Sequence, residues 1–79
     1  MRVHVRLFAT LGGLVRGTTP GTLFDVELPA GATISVLVGH LKLPMDEVKV
    51  AFVNGRARPV DWVLEPEDEV GIFPPVGGG

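Results

Sequence analysis

The sequence predicts one α+β domain, a mixed sheet of four to five strands curled across one main helix. Three observations carry this. Apolar residues alternate strictly with polar ones near both ends of the chain, which is the period of a half-buried strand. Between them lies a single stretch with helical spacing. Asn54-Gly55 separates two short strand-like runs, the residue pair a type I′ hairpin turn favours. Two hairpins flanking one helix in so short a chain place the first and last strands side by side, parallel, at the centre of the sheet.

The elements follow in order. Val3, Val5 and Leu7 alternate with Arg2, His4, Arg6 and Phe8, giving a first strand with Phe8 on its polar face. Ala9 to Thr22 is rich in Gly and Thr and reads as a loop with at most a short helical turn, in which Leu11 and Leu14 share a face. Phe24, Val26 and Leu28 point inward from a second strand, antiparallel to the first and ended by Pro29-Ala30-Gly31. Thr33 is the expected N-cap of the helix, whose stripe is Ile34, Leu37, Val38 and Leu41, with Pro44 as the stop. His40 lies off that stripe and reads as a surface residue.

Val48 to Val53 forms a third strand, with Val48, Val50 and Phe52 on one side and Lys49, Ala51 and Val53 on the other. Arg56 to Arg58 is a short fourth strand ended by Pro59, and Trp62 reads as a partly buried lid over the core edge. In the last strand, Glu69 to Phe73, Val70 and Ile72 point inward and Glu69, Gly71 and Phe73 outward.

Composition narrows the function. The 79 residues are 46% hydrophobic, a globular balance, and make one small domain. With no cysteine there is no thiolate nucleophile, disulfide framework or cysteine-held cluster. A net charge of −2 with dispersed basic residues leaves no footprint for nucleic acid. No signal peptide or membrane-length apolar run is present, so the expected location is the cytoplasm. The acidic residues Asp61, Glu65, Glu67, Asp68 and Glu69 occupy a turn and read as a solvated face rather than an acid–base pair.

What remains is the end of the chain, Phe73-Pro74-Pro75-Val76-Gly77-Gly78-Gly79. Two prolines cannot continue a ladder and send the chain outward. Triglycine adds nothing to a core and presents the slimmest backbone a channel could admit. The expected division is a domain over residues 1–73 and a tail over 74–79, with the tail reaching at most roughly 20 Å beyond the sheet. A frayed end of small residues is the plain alternative.

The first strand ending Leu7-Phe8-Ala9, the segment Val53-Asn54-Gly55, the run Leu64-Glu65-Pro66-Glu67-Asp68-Glu69-Val70 and this tail together resemble the ubiquitin-like β-grasp sulfur carriers. Within the MoaD/ThiS group the chain is most similar to MoaD-like small subunits of molybdopterin synthase. It departs from them in having Gly77 where a small non-glycine residue is common, and Gly12-Gly13 where relatives carry a charged helical turn.

The resemblance implies a cycle on the carboxylate of Gly79. A MoeB-like, ubiquitin-activating-like adenylyltransferase uses ATP and Mg to make an acyl-adenylate, which a sulfur donor converts to a thiocarboxylate. Gly77 and Gly78 thread the tail into a MoaE-like large subunit, in a heterotetramer, where the sulfur enters molybdopterin. The carrier binds no cofactor and is no enzyme by itself.

Phe8 and Phe73, facing away from the helix, are the expected docking patch, with Pro74, Pro75 and Val76 in the tail's lead-in. Ala51 and Val53 extend the patch, Ala57 borders it, and Arg6, Lys49, Arg56 and Arg58 rim it. Carriage of sulfur to thiamine thiazole or tRNA, a protein modifier, and an interaction domain with an inert tail remain open alternatives.

Overall fold

In the computed structural model, which describes residues 1–75, five strands form one sheet: β1 (Arg2–Leu7), β2 (Phe24–Glu27), β3 (Val50–Val53), β4 (Arg56–Arg58) and β5 (Glu69–Phe73). Their order is β2-β1-β5-β3-β4. β1 and β5 pair in parallel, with Val5 beside Val70 and Leu7 beside Ile72, and every other pairing is antiparallel. The parallel centre expected from the two-hairpin plan is therefore present, and β5 is flanked on both sides.

One face of this sheet is closed by α1 (Ile34–His40). Val3, Val5 and Leu7 of β1 and Val70 and Ile72 of β5 are fully buried against Ile34 and Leu37 in a single apolar core. Thr33 caps the helix as expected, its hydroxyl accepting from the N–H of Val36 at 3.2 Å. The two N–H groups before it are satisfied from the β4–β5 connection: Ile34 donates to the carbonyl of Trp62 and Ser35 to that of Val60. That irregular segment thus holds the helix by its backbone.

The helix stops earlier than Pro44 would impose. Leu43 donates to the carbonyl of Val38 and Lys42 to that of Gly39, with Lys42 at φ +58°. This pair of bonds is a Schellman ending, and Leu43 follows it into the core. Pro44 instead precedes a short 3-10 turn over Met45–Glu47.

The Gly- and Thr-rich segment after β1 contains a 3-10 turn over Ala9–Gly13. Leu11 is fully buried, but Leu14 is 53% exposed, so the two do not share a face. A 3-10 turn places i and i+3 in line only while it continues, and this one ends at Gly13. Gly12 is required by space, because a Cβ there would lie 2.6 Å from Pro20. Asn54 and Gly55 have φ of +51° and +85°, the two left-handed residues of a type I′ hairpin. No helix among the described residues is long and apolar enough to cross a membrane.

Candidate functional site

The functional candidates gather on the sheet face away from α1, at the end where β5 runs out. The parallel register of β1 and β5 brings Phe8 alongside Phe73, and the N–H of Phe8 donates to the carbonyl of Ile72 at 3.1 Å. The two rings stack at 4.1 Å between centroids with only 4° between their planes. Beyond Phe73 come Pro74, half-buried, and Pro75, exposed. Val76, Gly77, Gly78 and Gly79 lie outside the described residues.

Phe52 completes the cluster, its ring meeting Phe73 edge-on at 5.5 Å and 74°. Because β3 pairs with β5 through Phe52 opposite Gly71, Phe52 shares the outer face with Phe73. The same register puts Ala51 opposite Ile72 and Val53 opposite Val70, both in the core. The expected patch residues Ala51 and Val53 are thus buried under the sheet, and Phe52 and Val50 take the outer-face positions of β3. Ala57 pairs with Phe52 and is exposed on the outer face, where it borders the cluster.

Arg56 and Arg58 do not rim this patch. They pair with Val53 and Ala51 and so point to the helix side, where the Arg58 guanidinium lies 4.0 Å from the ring centroid of Trp62. Trp62, 38% exposed, is a platform for Arg58 more than a lid. Lys49 is exposed beside the tail root, where its N–H donates to the carbonyl of Phe73 at 2.9 Å. Arg6 does belong to the face, 3.8 Å from Glu69. With Phe8, Phe52, Asn54, Glu69 and Gly71 it lines an open cleft of about 410 Å³.

Farther along the same face, polar groups replace the rings. His4 sits between two carboxylates, with Nδ1 2.6 Å from Asp25 and Nε2 2.8 Å from Glu67. Both ring nitrogens can donate only when the imidazole is protonated. The hydrogen bond to Glu67, and then that to Asp25, hold its pKa above the usual 6.5, against partial desolvation.

The acidic turn is not simply solvated. Besides Glu67, Asp68 accepts from the Glu65 N–H at 2.8 Å and from the Asn54 side-chain amide at 2.9 Å. Among the described residues, no group of His, Asp and Glu is placed to hold a metal ion.

Residues 5–79 match the ThiS family. The chain belongs to the ThiS family. No curated protein matches it in sequence. Among solved structures, this ThiS-family chain is similar to SAMP1 from Haloferax volcanii, at 25% identity over 100% of both chains and a TM-score of 0.72. A Pyrococcus furiosus protein assigned as molybdopterin converting factor, subunit 1, is 29% identical over 96% of this chain and 99% of that one, with a TM-score of 0.72. Subunits 1 and 2 of the molybdopterin-converting factor from Helicobacter pylori form a complex whose matching chain is 20% identical, each chain covered fully, at a TM-score of 0.60; this last likeness is one of fold. The architecture of this ThiS-family chain, one helix grasped by a five-stranded mixed sheet, is the ubiquitin-like β-grasp fold.

Proposed function

We propose that this ThiS-family chain carries sulfur as a thiocarboxylate on Gly79 and donates it to the dithiolene of molybdopterin. The observation that supports this most is the course of β5. The central strand of the sheet delivers Phe73-Pro74-Pro75 to one end of the domain, beside an outer face bearing Phe8 and Phe52. The 29% identity to a protein assigned as molybdopterin converting factor, subunit 1, favours the molybdopterin branch.

In this reading residues 1–73 are the handle and 74–79 the tail. The carboxylate of Gly79 attacks the α-phosphorus of ATP in a MoeB-like adenylyltransferase that also supplies Mg²⁺, and pyrophosphate leaves. Adenylation turns an unreactive carboxylate into an acyl group with a good leaving group. Hydrosulfide, or a sulfur donor delivering its equivalent, then attacks the acyl carbon and displaces AMP to leave the thiocarboxylate. A MoaE-like large subunit receives the tail in a heterotetramer, a reading supported by the existence of a complex between subunits 1 and 2 of the Helicobacter pylori factor. The chain itself contributes no catalytic side chain, binds no cofactor and works in the cytoplasm.

A modifier joined through Gly79 to a lysine of a target is the second reading, favoured by the full-length similarity to SAMP1. Co-expression with the adenylyltransferase followed by intact-mass measurement separates them. A carrier gains one sulfur in place of one oxygen at Gly79, and its converted form supports molybdopterin synthesis when added to the large subunit. A modifier appears as isopeptide conjugates instead. Gly78→Val slows transfer in either case, because its branched side chain widens a tail meant for a narrow channel. An unchanged mass in the presence of enzyme and ATP overturns the carrier reading.

A further inference from the structure

We infer that Phe52 and Gly71 are positioning residues for the tail: they hold the ring of Phe73 and so set the direction in which the chain leaves the sheet. The inference rests on the carrier reading above, in which that tail must be delivered to a partner's active site.

Among the described residues, Phe73 is the last side chain fixed by the sheet. Its carbonyl accepts from Lys49, and the next two residues, being prolines, have no N–H to give. The Lys49 bond and the β3 pairing hold the Phe73 backbone while the neighbouring rings hold its side chain, so both constrain the root of the tail. Pro74-Pro75 transmits that orientation because consecutive prolines form a stiff extended segment. A rotation of about 30° at the root displaces the tip of a fully extended tail by roughly 10 Å, half its reach.

The grip on Phe73 has two sides. One is the face-to-face stack with Phe8, and the other is the edge of Phe52. The stack depends on a missing side chain. Gly71 lies between Arg6 of β1 and Phe52 of β3 in the sheet, and the Phe8 ring leans over it. A methyl carbon on Gly71 would come within 3.2 Å of Phe8 Cε2 and 3.8 Å of Phe73 Cε1. An alanine there makes the Phe8 ring give by a few tenths of an ångström, at the side on which it stacks.

No core residue needs these three rings. They sit on the face opposite α1, where Phe73 meets each of the other two, and each is only half-buried. A patch used solely for docking would not need the rings to be locked together, nor a glycine beneath them. A clamp needs both.

The test uses the full chain with its adenylyltransferase and ATP, reading pyrophosphate release. The variants are Phe52→Ala, the milder Phe52→Leu in case the first fails to fold, Phe52→Tyr and Gly71→Ala. A clamp predicts that Phe52→Ala lowers kcat by about tenfold to a hundredfold, because docked complexes seldom present the carboxylate correctly. Gly71→Ala lowers it by less, since Phe8 need shift only a few tenths of an ångström. KM stays within about twofold, and Phe52→Tyr, which retains the edge contact, restores kcat.

In the free chain, NMR couplings reporting χ1 of Phe73 become rotamer-averaged in the two damaging variants and stay fixed in Phe52→Tyr. A rise in KM at constant kcat would make the cluster a docking surface and overturn the inference. So would wild-type kinetics or a fixed Phe73 rotamer in Phe52→Ala and Gly71→Ala. Failure of the wild-type chain to be adenylated at all would overturn the carrier reading first, and the tail-delivery role with it.

Discussion

Replacing Asn54 separates two contributions that the structure superimposes at the β3–β4 turn. The first is backbone conformation, since Asn54 occupies φ +51°, a region that penalises a Cβ unless the side chain bonds locally. The second is a bridge to β5. The Asn54 side-chain carbonyl accepts from the Glu69 N–H at 2.9 Å, and its amide donates to Asp68 at 2.9 Å. Asn54→Gly retains the turn and loses both side-chain bonds. These are exposed, so the loss is about 1–2 kcal/mol.

Asn54→Ala loses the same bonds and also carries its methyl group into the left-handed region, a further cost of about 1–2 kcal/mol. A chain of this length has roughly 4–12 kcal/mol of stability in all, which leaves about 2–11 kcal/mol in Asn54→Gly and about 0–10 kcal/mol in Asn54→Ala. At about 4–8 °C per kcal/mol, Asn54→Ala should melt below Asn54→Gly by roughly 4–16 °C. The assay is urea and thermal unfolding followed by far-UV circular dichroism and by the fluorescence of Trp62, the single tryptophan. Equal stability of the two variants would refute the conformational argument. A change under about 0.5 kcal/mol in both would refute the bridge as well.

Two further outcomes are expected. The His4 imidazole, faced by Asp25 from β2, Glu67 from the β4–β5 connection and Glu69 across the β5 register, should titrate above 6.5 by NMR. Its raised folded pKa makes its contribution complete below 6.5 and lost as pH rises through the folded value, so wild type minus His4→Gln stability should be greatest below 6.5 and fall as pH rises above it. A midpoint at or below 6.5 would remove the two carboxylate bonds to His4 from the account. Leu11→Ala should cost about 2–4 kcal/mol in denaturant unfolding, since Leu11 is fully buried. Leu14→Ser, on a side chain 53% exposed, should stay within about 0.5 kcal/mol. Comparable losses would mean that the 3-10 turn packs differently from the structure.

Local chemistry alone set the periods and the punctuation. Val3, Val5 and Leu7 could be assigned to a buried face because Arg2, His4 and Arg6 between them admit no other choice. Thr33 as a cap and Asn54-Gly55 as a turn follow from side-chain and φ preferences that act within four residues. The Phe8–Phe73 pairing was also accessible, since it required only that two well-patterned strands be neighbours.

The face of β3 was not accessible in this way. Val50 and Phe52 alternate with Ala51 and Val53, so both parities are apolar and alternation fixes a period without a sign. Only the pairing of Ala51 with Ile72 and Phe52 with Gly71 put the small residues beneath the sheet and the large ring outside. The end of α1 was hidden for a similar reason: a Schellman ending normally shows a glycine, and here Lys42 takes the left-handed position so that Leu43 can reach the core. The bonds of His4 to Asp25 and Glu67 join residues 21 and 63 positions apart, a distance over which no local pattern speaks. Sequence decided which residues could lie together on a surface, and the long-range strand register decided which of them did.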